Sequence, residues 1–361
     1  AIFSVRIDAP TAPQTLEGKM RNTIDSKNWW TLPTAPQNTI CDVAGVRVGS
    51  QDLRGEGLCS GVTAVLPHEG DLFRNPVPAG VAVLNGFGKS AGLIQLAELG
   101  QIETPILLTN TFGVGPCSTA LIRRAIAENP EIGRGLCTVN PLVLECNDGT
   151  VNDIQALAVT EDHAQAAIAA CGPAFAQGTV GAGSGMKTFG YAGGLGSASR
   201  QVTLPGGAGF DLGALVLSNF GQQSALRVFG QQLPPPGQGD APDKGSIIVI
   251  LATDAPMGSR QLTRMARRSA AALGRLGSHI GHQSGDIALA FSTANRITRG
   301  GADTQSGERL NEDRMDAFFI AAVEAVEEAI LNALWHGVPH RGYDGSLLPA
   351  FRDRMAEVYR G

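Results

Sequence analysis

Short apolar runs alternate with helical repeats along most of this chain. Residues 62–66, 81–84 and 105–109 are runs of Val, Ile, Leu and Ala too short for buried helices, and they read as core strands. The spacing predicts helices over 118–128 and 162–170, a strand at 138–144, and a glycine-dense stretch of twisted strands and tight turns over 178–196. A further strand is expected at 214–217. Residues 246–253, Ser-Ile-Ile-Val-Ile-Leu-Ala-Thr, give as strong a buried-strand signal as the chain contains. A basic helix over 258–276, a strand at 287–292 and a long helix over 313–336 follow. In that helix Phe319, Val323, Val326, Ile330 and Ala333 share one apolar face, Glu324, Glu327 and Glu328 lie elsewhere, and Gly337 is the stop.

Two segments lack such periodicity. The first forty residues, with Trp29-Trp30 and four prolines, read as an irregular arm wrapping a larger body, leaving 41–361 as one catalytic-sized domain. Residues 231–245, QQLPPPGQGDAPDKG, hold four prolines and three glycines and form the best loop in the chain. This loop runs directly into the 246–253 strand.

Composition narrows the class. The chain has 361 residues, 33 acidic and 28 basic side chains, and 43% hydrophobic residues, enough for a sizeable core and against disorder. Low net charge, no Lys/Arg run and 5% aromatic content give no footprint for nucleic acid. Glycine is in excess, 47 residues, about 13% against the usual ~7%. Six cysteines without a C-x-x-C pair or nearby histidines argue for buried free thiols over zinc or a disulfide framework. No run of eighteen apolar residues occurs, so no membrane helix is expected. A cytoplasmic location is expected, or a periplasmic one if a signal peptide preceded Ala1.

Three stretches carry candidate chemistry. Gly86-Phe87-Gly88-Lys89-Ser90 misses the phosphate-loop pattern, which needs glycine where Val83 stands. Gly88-Lys89-Ser90-Ala91-Gly92 spells G-x-S-x-G, an elbow for Ser90 with His282, His336 or His340 later in the chain, or simply a tight strand exit. Glu145 ends a strand ahead of the turn Asn147-Asp148-Gly149, where an acid could hold a substrate ammonium; Asp148 and Gly149 read as ordinary turn residues.

Ser246 is the hardest to explain as structure alone. A serine after Gly245, between a loop and a buried strand, can attack the preceding carbonyl and leave itself as a new N-terminus. Its free α-amine, with a pKa near ~8, then serves as the base. An ordinary strand start is the competing reading. Ser284 and Asp286, two apart just before a strand, point the same way, or else form a Ser-Gly-Asp turn.

Six ordered motifs together resemble one family: Cys41-Asp42-Val43-Ala44-Gly45-Val46-Arg47-Val48-Gly49, Leu108-Thr109-Asn110-Thr111, Gly181-Ala182-Gly183-Ser184-Gly185-Met186, Ser218-Asn219-Phe220-Gly221, Gly245-Ser246-Ile247-Ile248-Val249 and Ser284-Gly285-Asp286-Ile287. The family is that of the L-aminopeptidase D-amidase/D-esterases and β-peptidyl aminopeptidases. The resemblance implies an α/β, four-layer α-β-β-α sandwich of N-terminal-nucleophile-like architecture with distinct connectivity. It implies self-cleavage into an α chain, 1–245, and a β chain, 246–361, with such pairs assembling into homo-oligomers, often of four pairs. It implies no cofactor and no metal, and as substrates short peptides, amides or esters with a free N-terminus. By motif, Ser246 is the nucleophile, Ser284 and Asp286 hold and tune it, and Asn219 donates to the oxyanion. Glu145 pairs with the substrate ammonium and Asn110 assists. Asn147 stands where the family commonly has tyrosine, leaving the strength of the oxyanion hole open. An esterase built on Ser90 and a non-catalytic family member are the competing functions.

Overall fold

The computed structural model describes residues 29–235 and 245–358. Residues 1–28 of the expected arm and 236–244 of the expected loop lie outside the described residues.

Two sheets face each other. The first is built from β1 (Arg47–Gly55), β2 (Leu58–Leu66), β5 (Ile106–Asn110) and β6 (Leu142–Cys146), in the order β1-β2-β5-β6. The second has β3 (Val77–Gly86), the short β4 (Gln101–Ile102), β7 (Gly194–Thr203), β8 (Gly209–Asn219), β9 (Ser246–Thr253) and β10 (Gly285–Ser292), in the order β4-β3-β10-β9-β8-β7. Parallel pairing occurs at β5/β6 and β9/β10, each crossed by helix, as parallel neighbours require. The first crossing is α2 (Val114–Glu128), which follows the short α1 (Leu93–Leu99); α3 (Glu161–Ala169) packs beside it. The second crossing is α4 (Ser259–Ala266) and α5 (Ser269–Arg275), and α6 (Met315–His336) and α7 (Phe351–Val358) complete that side.

Alternation along each strand explains the layers. Ile248, Ile250 and Ala252 of β9 meet Leu144, Leu108 and Val65 in the space between the sheets, whereas Ile247, Val249 and Leu251 meet Leu262, Phe318 and Ala322 on the helical side. Both faces are covered, so β9 reads as a continuous apolar run. On the other outer face Val62, Ala64, Leu107 and Val143 pack against Leu121, Ala164 and Ile168. The result is the expected four-layer α-β-β-α sandwich.

Several boundaries differ from expectation for local reasons. The strand expected from 138 begins at Leu142, because Pro141 has no N–H for the ladder, and it runs on to include Glu145. The basic helix is two helices, broken where Arg268 N–H bonds the Met265 carbonyl in a tightened turn and its guanidinium lies over the Phe319 ring, 3.9 Å from its centroid. The long helix is buried nearly all round, and its three glutamates are part of the interior. Arg200, fully buried, bridges Glu324 at 3.1 Å and Glu328 at 2.5 Å. Glu324 also accepts from the Thr31 backbone at 2.7 Å, and Glu327 from the Trp29 and Trp30 indoles at 2.9 and 3.0 Å. These bonds fasten the described part of the arm. Four of the six cysteines are buried and Cys137 is exposed.

Candidate active site

Ser246 opens β9 at the centre of the larger sheet. Asn219, the last residue of β8, lies opposite it in antiparallel register, and Gly285, the first of β10, lies beside it in parallel register. The Gly285 N–H donates to Ser246 Oγ at 3.0 Å, and Ser246 is buried. Close approach dictates glycine at both neighbours. A Cβ on Gly245 would fall 2.0 Å from the Asn219 carbonyl oxygen, and one on Gly285 would fall 2.8 Å from the Phe87 carbonyl oxygen and 3.1 Å from Ser246 Oγ.

Ser284 and Asp286 flank Gly285, both buried, and Ser284 Oγ donates to Asp286 Oδ1 at 2.6 Å. Asn219 Oδ1 accepts from the Lys187 N–H at 2.8 Å, and its Nδ2 donates to the Asn147 carbonyl at 2.9 Å. That bond uses one of its two Nδ2 protons. Asn147 itself is exposed and its side-chain oxygen accepts from Gly149 N–H at 2.9 Å. It therefore meets Asn219 through its backbone, while its amide is engaged within its own turn.

Glu145 is buried at the end of β6. One carboxylate oxygen accepts the Lys89 backbone N–H at 2.7 Å and the other the Thr111 hydroxyl. Asn110, at the end of the neighbouring β5, donates to Ser60 Oγ at 3.1 Å and Asp148 Oδ2 at 3.3 Å and accepts from Gly113 N–H at 2.7 Å. Those bonds make it a brace between two strands and a turn. Asp148, read in sequence as a turn residue, is fully buried, and Asn152 donates to its other oxygen at 3.2 Å. Burial pushes its carboxyl up to about 6 against the downward pull of bonds from Ser60, Asn152 and Asn110.

Sequence reasoning missed Asp148, Thr111 and the Lys89 and Gly285 N–H groups. Backbone donors carry no residue signature, and an Asn-Asp-Gly turn looks the same buried or exposed. Ser90 does not behave as an elbow nucleophile. Its Oγ is buried with no hydrogen-bond partner among the described residues, so no histidine serves it as base. Its loop lies instead against β6, through Ala91 N–H to the Val143 carbonyl at 2.8 Å, and covers Glu145. Among the described residues no group of three or more His, Cys, Asp or Glu converges to hold a metal.

The chain is similar to known proteins over most of its length. The model of peptidase family S58 matches residues 38–348. A β-peptidyl aminopeptidase, BapA, of Sphingosinicella microcystinivorans is 41% identical over 327 residues, covering 82% of this chain and 81% of that one. The solved β-aminopeptidase of a Burkholderia species is 38% identical with a TM-score of 0.82, over 91% of this chain and 95% of that one. The L-aminopeptidase D-Ala-esterase/amidase of Ochrobactrum anthropi, described as a prototype of the serine aminopeptidases and a new variant of the N-terminal-nucleophile hydrolase fold, is 35% identical with a TM-score of 0.83, over 92% and 96%. With family model, sequence and fold in agreement over most of its length, the chain belongs to peptidase family S58 and is a hydrolase of the aminopeptidase class.

Proposed function

We propose that the chain cuts itself between Gly245 and Ser246 and then removes N-terminal residues, β-amino acids among them, from short peptides, amides or esters. The observation that carries this is the setting of Ser246. A buried serine hydroxyl at the first position of a central strand has a backbone N–H on one side, an asparagine amide opposite, and the peptide bond to Gly245 next to it. In the first reaction Ser246 Oγ adds to the Gly245 carbonyl and the peptide nitrogen leaves as the Ser246 amine, giving an ester. Water then splits the ester into the Gly245 carboxylate and the free Ser246 hydroxyl. In turnover the α-amine accepts the hydroxyl proton as Oγ attacks the substrate carbonyl, and Asn219 Nδ2 donates to the oxyanion. The leaving amine or alcohol departs with that proton, giving an acyl-enzyme ester on Ser246, and water then hydrolyses the ester to release the acid and restore the hydroxyl. Ser284, ordered by Asp286, steadies the amine and hydroxyl. Glu145 takes the substrate ammonium, with Asn110 and the Asn147 turn as its framework. The products, an α chain of 1–245 and a β chain of 246–361, are expected to associate further into homo-oligomers, as the resemblance implies.

Intact mass under denaturing conditions tests the reading: two pieces summing to 37.5 kDa plus one water are expected. Ser246→Ala is expected to remain one inactive chain. An uncut wild type that hydrolyses aminoacyl p-nitroanilides would sink the proposal.

A further inference from the structure

Resting on the function proposed above, the geometry points to Gly88 as the residue that determines which N-terminal residues the enzyme accepts. Gly88 stands between the two ends of the site. A Cβ built on it would lie 3.6 Å from Glu145 Oε1, 3.5 Å from Ile287 Cδ1 and 3.8 Å from Gly285 Cα. Gly285 in turn donates to the nucleophile, so a side chain at 88 would enter the space beside the ammonium and close to the acyl carbon.

Fold does not demand glycine here. At Gly245 and Gly285 a Cβ would strike backbone atoms at 2.0 and 2.8 Å, whereas at Gly88 it meets only ordinary van der Waals distances, and its φ is not in the left-handed region. The wall is also held in place. Phe87 N–H bonds the Ser284 carbonyl at 3.3 Å and Lys89 N–H bonds Glu145 at 2.7 Å, so the backbone on either side of Gly88 is pinned to the site itself. A glycine that the fold could replace, on a loop pinned at both neighbours, keeps a side chain out of the room beside Glu145 and Gly285. That room suits a substituent on the carbon bearing the amine, since this carbon must lie next to Glu145. The G-x-S-x-G stretch thus contributes its first glycine and not its serine.

Gly88→Ala and Gly88→Val test this with p-nitroanilides of β-alanine and of β-amino acids carrying a methyl or a benzyl group beside the amine. The ratio of kcat/KM for β-alanine to that for the benzyl substrate is expected to rise about tenfold or more in the Ala variant and further in Val, mostly through KM, as steric discrimination by single methyl groups allows. Both variants are expected to fold, read by thermal unfolding. An equal fall on all three substrates, an unchanged ratio, or failure of both variants to fold would each overturn the inference. Wild type that hydrolyses none of them would instead overturn the function on which it rests.

Discussion

Two groups of buried acids lie on opposite sides of the six-stranded sheet, and they are satisfied in different ways. On the helical side Glu324 and Glu328 share Arg200, and Glu327 has Arg275 at 3.0 Å besides its indoles. On the side facing the smaller sheet Glu145 and Asp148 are held by neutral donors alone: backbone N–H groups, hydroxyls and asparagine amides. Among the described residues no ion pair reaches either. A buried carboxylate costs several kcal/mol unless a cation balances it. The first group finds its cations within the protein and serves to fasten the arm, whereas Glu145 meets only a backbone N–H and a hydroxyl, and the proposed function gives it the substrate's ammonium as its cation. That contrast is the physical ground for assigning an ammonium to Glu145 and none to Glu324.

Substitutions can break the contrast. The largest effect is expected for Arg200→Ala, which strands two buried carboxylates and should cost about 3–5 kcal/mol. Denaturant unfolding would read it, while kcat/KM per folded molecule stays near wild type; a loss of activity without a loss of stability would merge the two groups. Next is Glu145→Gln, which keeps the shape and removes the charge. It should lower kcat/KM on free-amine substrates by roughly 10²-fold, chiefly through KM, and weaken the preference for them over N-acetylated analogues, with little change in unfolding. If that preference survives, the ammonium is recognised elsewhere.

The smallest expected effect sharpens the contrast within the site. Burial holds the Asp148 carboxyl above its ordinary value of 3.8, up to about 6. The folded chain therefore binds this proton more tightly than the unfolded chain, so the associated stability is fully present below about pH 4 and is lost as pH rises through about 6. At about 1.4 kcal/mol per pH unit this is roughly 2–3 kcal/mol. Asp148→Asn does not titrate, so its stability relative to wild type should improve between pH 4 and 7 by that order, whatever constant penalty its amide incurs against Asn110 and Asn152. A pH-independent difference would mean that the Asp148 carboxyl titrates alike in the folded and unfolded chain.

The strands were legible wherever apolar runs were short and bounded, and β9 starts and ends where its sequence does. Helix α2 was legible from 118 to its end at 128, but its first turn, Val114-Gly115-Pro116-Cys117, carries glycine and proline and no helical signature. The acids of α6 were legible as residues and illegible as structure, because periodicity says which face they share and nothing of what covers it. Ser246, Ser284, Asp286 and Asn219 could be named from motifs. Their mutual arrangement could not, since the strand register sets Gly285 beside Ser246, with Ser284 and Asp286 on either side. Asn147 shows the same limit: its identity was plain, while its use of the backbone carbonyl toward Asn219 depends on the turn that bears it.

The position of β9 has one more consequence. It is an interior strand, laddered to β8 over eight residues and to β10 over eight more. A cut at Gly245 would separate the chain that ends beyond β8 from the chain that begins with β9, so one sheet would be shared by two molecules. Before the cut its strands find one another within a single chain; afterwards, once unfolded, they must meet by diffusion, at a rate set by concentration. The enzyme would then carry its order of events in its own topology: it assembles first, is cut second, and when denatured has no unimolecular route back.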